Sequence, residues 1–189
     1  GTQGGYLLGL TEDHLEEQRT ARWSPPWWKS HRLKRTTSST LASGAHALMD
    51  GLGCLEWTLC LLSEMRFPKS QLEEQEKSTR QIRSFVMKDA RSVWDHMKAK
   101  RVAGVAHKRA AVDFITCRES LDRVRAGFKW LPGVFQLADM MTTGTPEALD
   151  AYRRALRRRE YCLQNAERMP KLGEEEKKRM QERGQARAE

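Results

Sequence analysis

Five histidines, His14, His31, His46, His96 and His107, are the side chains here best suited to moving protons near neutral pH. They are scattered through the chain. Asp95 and His96 are neighbours, and with Asp113 they could make an acid/base set, but no nucleophile accompanies them and nothing places a pocket around them. Exposed helix positions explain all three. Cys54, Cys60, Cys117 and Cys162 show no CxxC spacing, and Cys54 and Cys60 have no histidine at ligand distance in sequence. They read as reduced, mostly buried thiols, which points to a reducing compartment. There is no P-loop, no GxGxxG, no GxSxG and no HExxH. The expectation is therefore a protein that is not an enzyme, with no catalytic residue, no cofactor and no metal.

Binding chemistry is better represented. The chain of 189 residues carries a formal net charge of +9, which favours acidic partners: nucleic acid, anionic lipid or an acidic protein surface. Arg153, Arg154, Arg157, Arg158 and Arg159 crowd one side of a predicted helix and leave Leu149, Tyr152, Ala155 and Leu156 to pack. A second group, Lys98, Lys100, Arg101, Lys108 and Arg109, flanks a predicted turn. Trp23, Trp27 and Trp28 stand in a stretch rich in proline and basic residues, RWSPPWWKSHRLKRTTSS. Three tryptophans in one irregular stretch either pack on their own domain, anchor in a partner's pockets or stack on bases. No run is long and apolar enough to span a membrane. The sequence begins at Gly1, consistent with an excised import segment or with a boundary chosen by other means.

The elements that must position these residues read as helices. The stretch Ala47 to Arg66, ALMDGLGCLEWTLCLLSEMR, holds two apolar segments at helix spacing about Gly53, the pattern of a short helical hairpin. Weaker copies follow around Ala90, Leu121 and Ala148, and LMDGL, AVDFI and LADMM each set an aspartate among apolar residues. Pro68, Gly104, Pro132 and Gly133 punctuate the units, Ser70 with Glu73 makes a capping box, and Thr145 with Pro146 starts the last helix. Thr11 is a further N-cap candidate, opening a short acidic helix. No segment shows sustained period-two alternation, so no sheet is expected. The prediction is an all-α fold, a short α-solenoid of about three to four helical hairpins. Residues 1–40 form an irregular N-terminal extension, 41–161 the repeat domain, and 162–189 a charged helix or tail.

Hairpins of this length with a run such as ALMDGLGCLEWTLCLLSEM resemble the pentatricopeptide repeat family, and DARSVWDHMKAKRV and VFQLADMMTTGTPEALDAYRRAL resemble weaker copies. The resemblance implies a right-handed solenoid that reads single-stranded RNA one base per repeat. The reading positions would be His46, Arg109 and Phe135, with Lys108 beside them, and they lack the residues that the code uses. The implied role is then a non-catalytic structural subunit of a large mitochondrial assembly in the matrix. The favoured expectation is an accessory subunit of ATP synthase, docked on the F1 alpha subunit through Trp23, Trp27, Trp28, Arg153, Arg154, Arg157 and Arg158. The alternative is a mitochondrial ribosomal subunit or a single-stranded RNA-binding protein using His46, Lys108 and Arg109.

Overall fold

The computed structural model describes residues 2–17, 19–33, 39–68, 74–99, 108–142 and 144–163. Strand β1 (Gln3–Thr11) is followed by a 3-10 helix (Asp13–Glu17) and strand β2 (Ala21–Arg32). Helix α1 (Thr40–Arg66), the short α2 (Gln75–Thr79), strand β3 (Phe85–Lys88), α3 (Arg91–Lys98) and α4 (Lys108–Val124) come next. The described residues end with strand β4 (Gly127–Trp130), two 3-10 helices (Gly133–Phe135 and Leu137–Met141), α5 (Pro146–Arg158) and strand β5 (Glu160–Tyr161). The strands make an antiparallel sheet of order β1-β2-β5 and a parallel pair β3-β4.

This is a mixed α/β fold, and the expected all-α solenoid is overturned by its two sheets. The stretch expected to form a helical hairpin is the interior of one continuous helix, α1. Gly53 does not break it: a Cβ there would meet nothing within 4 Å, so the glycine stands in open space and costs the helix only about 1 kcal/mol of propensity. Ser39 caps α1, its side chain accepting from the Ala42 amide. The residues expected as an irregular N-terminal extension form the β1–β2 hairpin, paired from Gln3↔Arg32 to Thr11↔Trp23. Thr11 is therefore a strand residue, its hydroxyl donating to the Arg22 carbonyl, and caps nothing. The run Phe85–Lys88 is a strand, although no sheet was expected, and LADMM, one of the three aspartate-bearing echoes, is a 3-10 helix. Where α5 is concerned the expectation agrees: Thr145 accepts from the Ala148 amide and Pro146 occupies the first turn. The Ser70–Glu73 box, Gly104, Lys100, Arg101, His107 and the tail beyond Leu163 fall outside the described residues.

Pro25 and Pro26 exclude helix from β2, yet a strand tolerates them where the ladder is irregular. The register of β1 against β2 slips between Leu8 and Leu10, opposite these prolines. Gly9 sits in that slip, and a Cβ on it would run into the Trp23 indole. Here only glycine fits.

Among the described residues three apolar clusters hold the elements together. Ala45, Leu48 and Leu52 of α1 pack with Val93 and Met97 of α3 and with Phe114, Cys117 and Leu121 of α4, and Val86 and Phe128 of the parallel pair lean on them. Gly44 lets α1 approach α3, since a Cβ there would stand 2.6 Å from Val93 Cγ2. Within this cluster the Cys117 thiol faces the Ala45 carbonyl at 3.9 Å, and burial, with Asp113 adding to it, pushes its pKa up to about 12. Leu15, Ala21, Leu131 and Leu163 form a second cluster, against which Phe85, Met87, Trp130, Phe135 and Tyr161 pack. Trp23, Leu137, Met141, Tyr152 and Ala155 form the third. No helix among the described residues is long and apolar enough to cross a membrane.

Candidate functional site

β3 and β4 run parallel in the register Phe85↔Gly127 to Lys88↔Trp130, so both deliver their carboxyl ends to the same side. In open sheets with parallel strands, ligands bind outside those ends. Asp89 follows β3 directly, and the amide of Leu131, just past β4, donates to the Lys88 carbonyl at 3.0 Å. Two side chains lock the rim: Trp130 Nε1 donates to the Asp89 carbonyl at 2.8 Å, and Gln136 Nε2 donates to the Met87 carbonyl at 3.3 Å. Beyond β4 the chain turns through Pro132 into the two 3-10 helices, and the second brings Asp139 back to this rim.

Asp89, Asp139 and Lys88 form one electrostatic unit. Lys88 Nζ stands 3.2 Å from Asp89 Oδ1, with both side chains largely covered. Burial raises the Asp139 pKa, the charge of Asp89 raises it further, and Lys88 pulls it down; the outcome is a value of about 6. Gly133 gives the carboxylate its room, since a Cβ at that position would stand 3.2 Å from Asp139 Oδ2. Arg91, at the start of α3, lies over the rings of Trp94 (4.5 Å) and Trp130 (5.2 Å), which puts a second cation beside the rim. A carboxylate pair with one member half-protonated near pH 6 can share a proton, or can hold a divalent cation between its oxygens and a ligand's phosphate. Among the described residues no group of three or more His, Cys, Asp or Glu is arranged to hold a metal by itself.

α5 packs on the 3-10 helix that carries Asp139, through Tyr152 and Ala155 against Leu137 and Met141. Its other side puts Arg153, Arg154, Arg157 and Arg158 into solvent. Arg159, in the left-handed conformation at φ 54°, ends the helix, and its carbonyl accepts the Trp23 amide at 2.8 Å.

The other residues singled out in the sequence are dispersed. Trp23 is buried, edge-on to Tyr152 at 6.2 Å, and belongs to its own core; Trp27 and Trp28 are exposed. His46 is half-buried inside α1 with its Nδ1 enclosed and without a hydrogen-bond partner. Lys108 and Arg109 lie exposed at the start of α4, and Phe135 is packed in the second cluster, so the three would-be reading positions make no row. Asp95 pairs with Arg91 at 3.1 Å, while His96 meets the Ser92 carbonyl and stacks on Phe114 at 5.3 Å. The acid/base set of Asp95, His96 and Asp113 is not assembled by these contacts.

Sequence reasoning missed Asp89 and placed Asp139 in a repeat echo. One signal was present: the short apolar run FVM is followed at once by Lys88 and Asp89, as a buried strand ending on charged residues would be. Its partner lies far along the chain and is found only through the parallel pairing of β3 with β4. No family model, curated protein or solved structure matches the chain.

Proposed function

We propose that the chain binds polynucleotide through its phosphates, with a divalent cation held between Asp89 and Asp139 at the carboxyl ends of the parallel strands. The observation that carries this is that Asp139 feels the charges of Asp89 and Lys88 at the strand ends of a chain whose net charge is +9. An acidic pair on a basic protein is an awkward partner for a polyanion unless a cation bridges them. Mg2+ is commonly held by one or two carboxylates together with substrate phosphates. Lys88, Arg91 and the arginines of α5 then supply the long-range attraction and the phosphate contacts.

Fluorescence anisotropy with a labelled RNA, measured in Mg2+ and in EDTA, tests this. Affinity should fall by about tenfold or more without the metal, and Asp139→Asn should remove that dependence while keeping the salt slope of the basic contacts. Equal binding in Mg2+ and EDTA, or no binding at low salt, overturns the proposal.

A second reading keeps one observation in its favour. Trp27 and Trp28 are exposed, and tryptophan and arginine are the residues most enriched where proteins grip each other. They suit a non-catalytic subunit of a mitochondrial assembly, ATP synthase being the first expected, although the repeat that singled out that assembly is absent from the fold. Ribonuclease-resistant co-migration of the native protein with such an assembly would favour this reading over RNA.

A further inference from the structure

Away from the carboxylate rim, β2 and α1 present two indoles to solvent. Trp27 is 49% exposed and Trp57 is 55% exposed, yet their ring centroids are only 6.0 Å apart, with planes at 57°. A lone exposed aromatic needs no explanation, but two in contact do. Tyr6 of β1 packs beneath Gly51 of α1, where a Cβ would be 3.5 Å from its own Cβ, so the sheet lies directly against the helix that carries Trp57. On the same face of β2, by strand alternation, come the exposed Lys29 and then His31, which meets Asp50 at 2.9 Å.

The free edge of β2 argues against an added strand as occupant. β5 covers β2 only at Ala21 and Arg22, and the edge beyond includes Pro25 and Pro26, which have no amide to offer an added strand. The side-chain face is what remains, and it sets the flat aromatic surface of Trp27 and Trp57 beside the exposed ammonium of Lys29 on a chain of net charge +9. That is the combination by which proteins hold single strands, bases on rings and phosphates on cations.

We propose that Trp27 and Trp57 form a stacking platform for the bases of a single-stranded polynucleotide, with Lys29 alongside its phosphates. This rests on the polynucleotide reading above but uses a different surface, so the two can fail separately. The test compares an oligouridylate of about twelve residues with an RNA duplex of equal length, read by anisotropy and by quenching of tryptophan fluorescence. Trp27→Ala with Trp57→Ala should weaken single-strand binding about tenfold or more and leave duplex binding unchanged, while Trp27→Phe with Trp57→Phe should recover most of the loss.

Thermal midpoints of both double variants accompany the titrations, so that a folding defect is not read as a binding defect. If the alanine pair folds and binds oligouridylate like the wild type, the platform is overturned while Mg2+-dependent binding at the carboxylate rim can stand. The platform is equally overturned if the phenylalanine pair folds but rescues nothing, or if the alanine pair loses only a protein partner. If the wild type binds neither RNA in Mg2+, the polynucleotide reading falls and takes the platform with it.

Discussion

The two sheets meet opposite environments. Both faces of the parallel pair β3-β4 are covered: Val86 and Phe128 lean on the α1–α4 cluster, Phe85 and Met87 on the cluster around Leu15 and Leu131. The antiparallel sheet is wetter, and along β2 the residues from Ser24 to Arg32 are mostly exposed. Parallel strands need cover on both faces and antiparallel ones do not. The consequence is chemical. A carboxylate at the end of the covered pair feels burial and its neighbour's charge, as the raised pKa of Asp139 records. On the wet sheet Trp27 and Trp28 stay about half exposed, although Trp23 at its other end is buried.

The contrast can be broken most severely at the cluster that supports the covered pair. Phe114 is fully buried against α1 and α3. Phe114→Ala should cost about 3–5 kcal/mol, enough to threaten folding, as read by urea denaturation. Hydrogen exchange should show the protection of β3 and β4 falling with it, because they lean on that cluster.

A middle-sized effect sharpens the electrostatic half of the comparison. Asp139 binds its proton more tightly in the folded chain, at about 6, than an ordinary aspartate near 3.8 does. Its contribution to stability is therefore greatest below about pH 4 and is lost as pH rises through about 6. Asp139→Asn should match the wild type in acid and be more stable by about 1 kcal/mol above pH 7. The effect stays below what the full shift implies because solvent reaches the half-buried group. Urea midpoints at about pH 4 and pH 8 measure it. A wild type that does not lose stability relative to the variant across that range would place Asp139 in a far more polar setting.

The smallest expected effect concerns the helix that backs the site. Thr145→Ala removes the hydroxyl that accepts the Ala148 amide at 3.3 Å in an exposed position, and should cost about 0.5 kcal/mol by thermal denaturation. The Asp139 pKa should stay where it is, because the cap acts on α5 alone.

How much of this was legible in the sequence depends on how far each signal travels along the chain. α5 was legible because its cap, its first-turn proline and its stripe of Tyr152 and Ala155 are neighbours. α1 was legible as helix but not as one helix, since Gly53 looks like punctuation and the open space around it is visible only in the fold. The strands were hidden for two reasons. β3 and β4 are too short for a period to show, and the YLLGL run of β1 is apolar without alternation. LADMM echoed LMDGL in its letters while one became a 3-10 helix and the other the middle of α1. The carboxylate pair was the least legible part, because it depends on long-range pairing that no local pattern encodes.

Cys117 gives the molecule a built-in clock. Alkylating reagents attack the thiolate, and a thiol held at about 12 inside the α1–α4 cluster offers almost none at neutral pH. Its sulfur can react at an ordinary rate only when that cluster opens. Cys54, Cys60 and Cys162 are only partly covered. Timed labelling would thus record surface breathing at three cysteines and the opening of the core at the fourth, with no substitution needed.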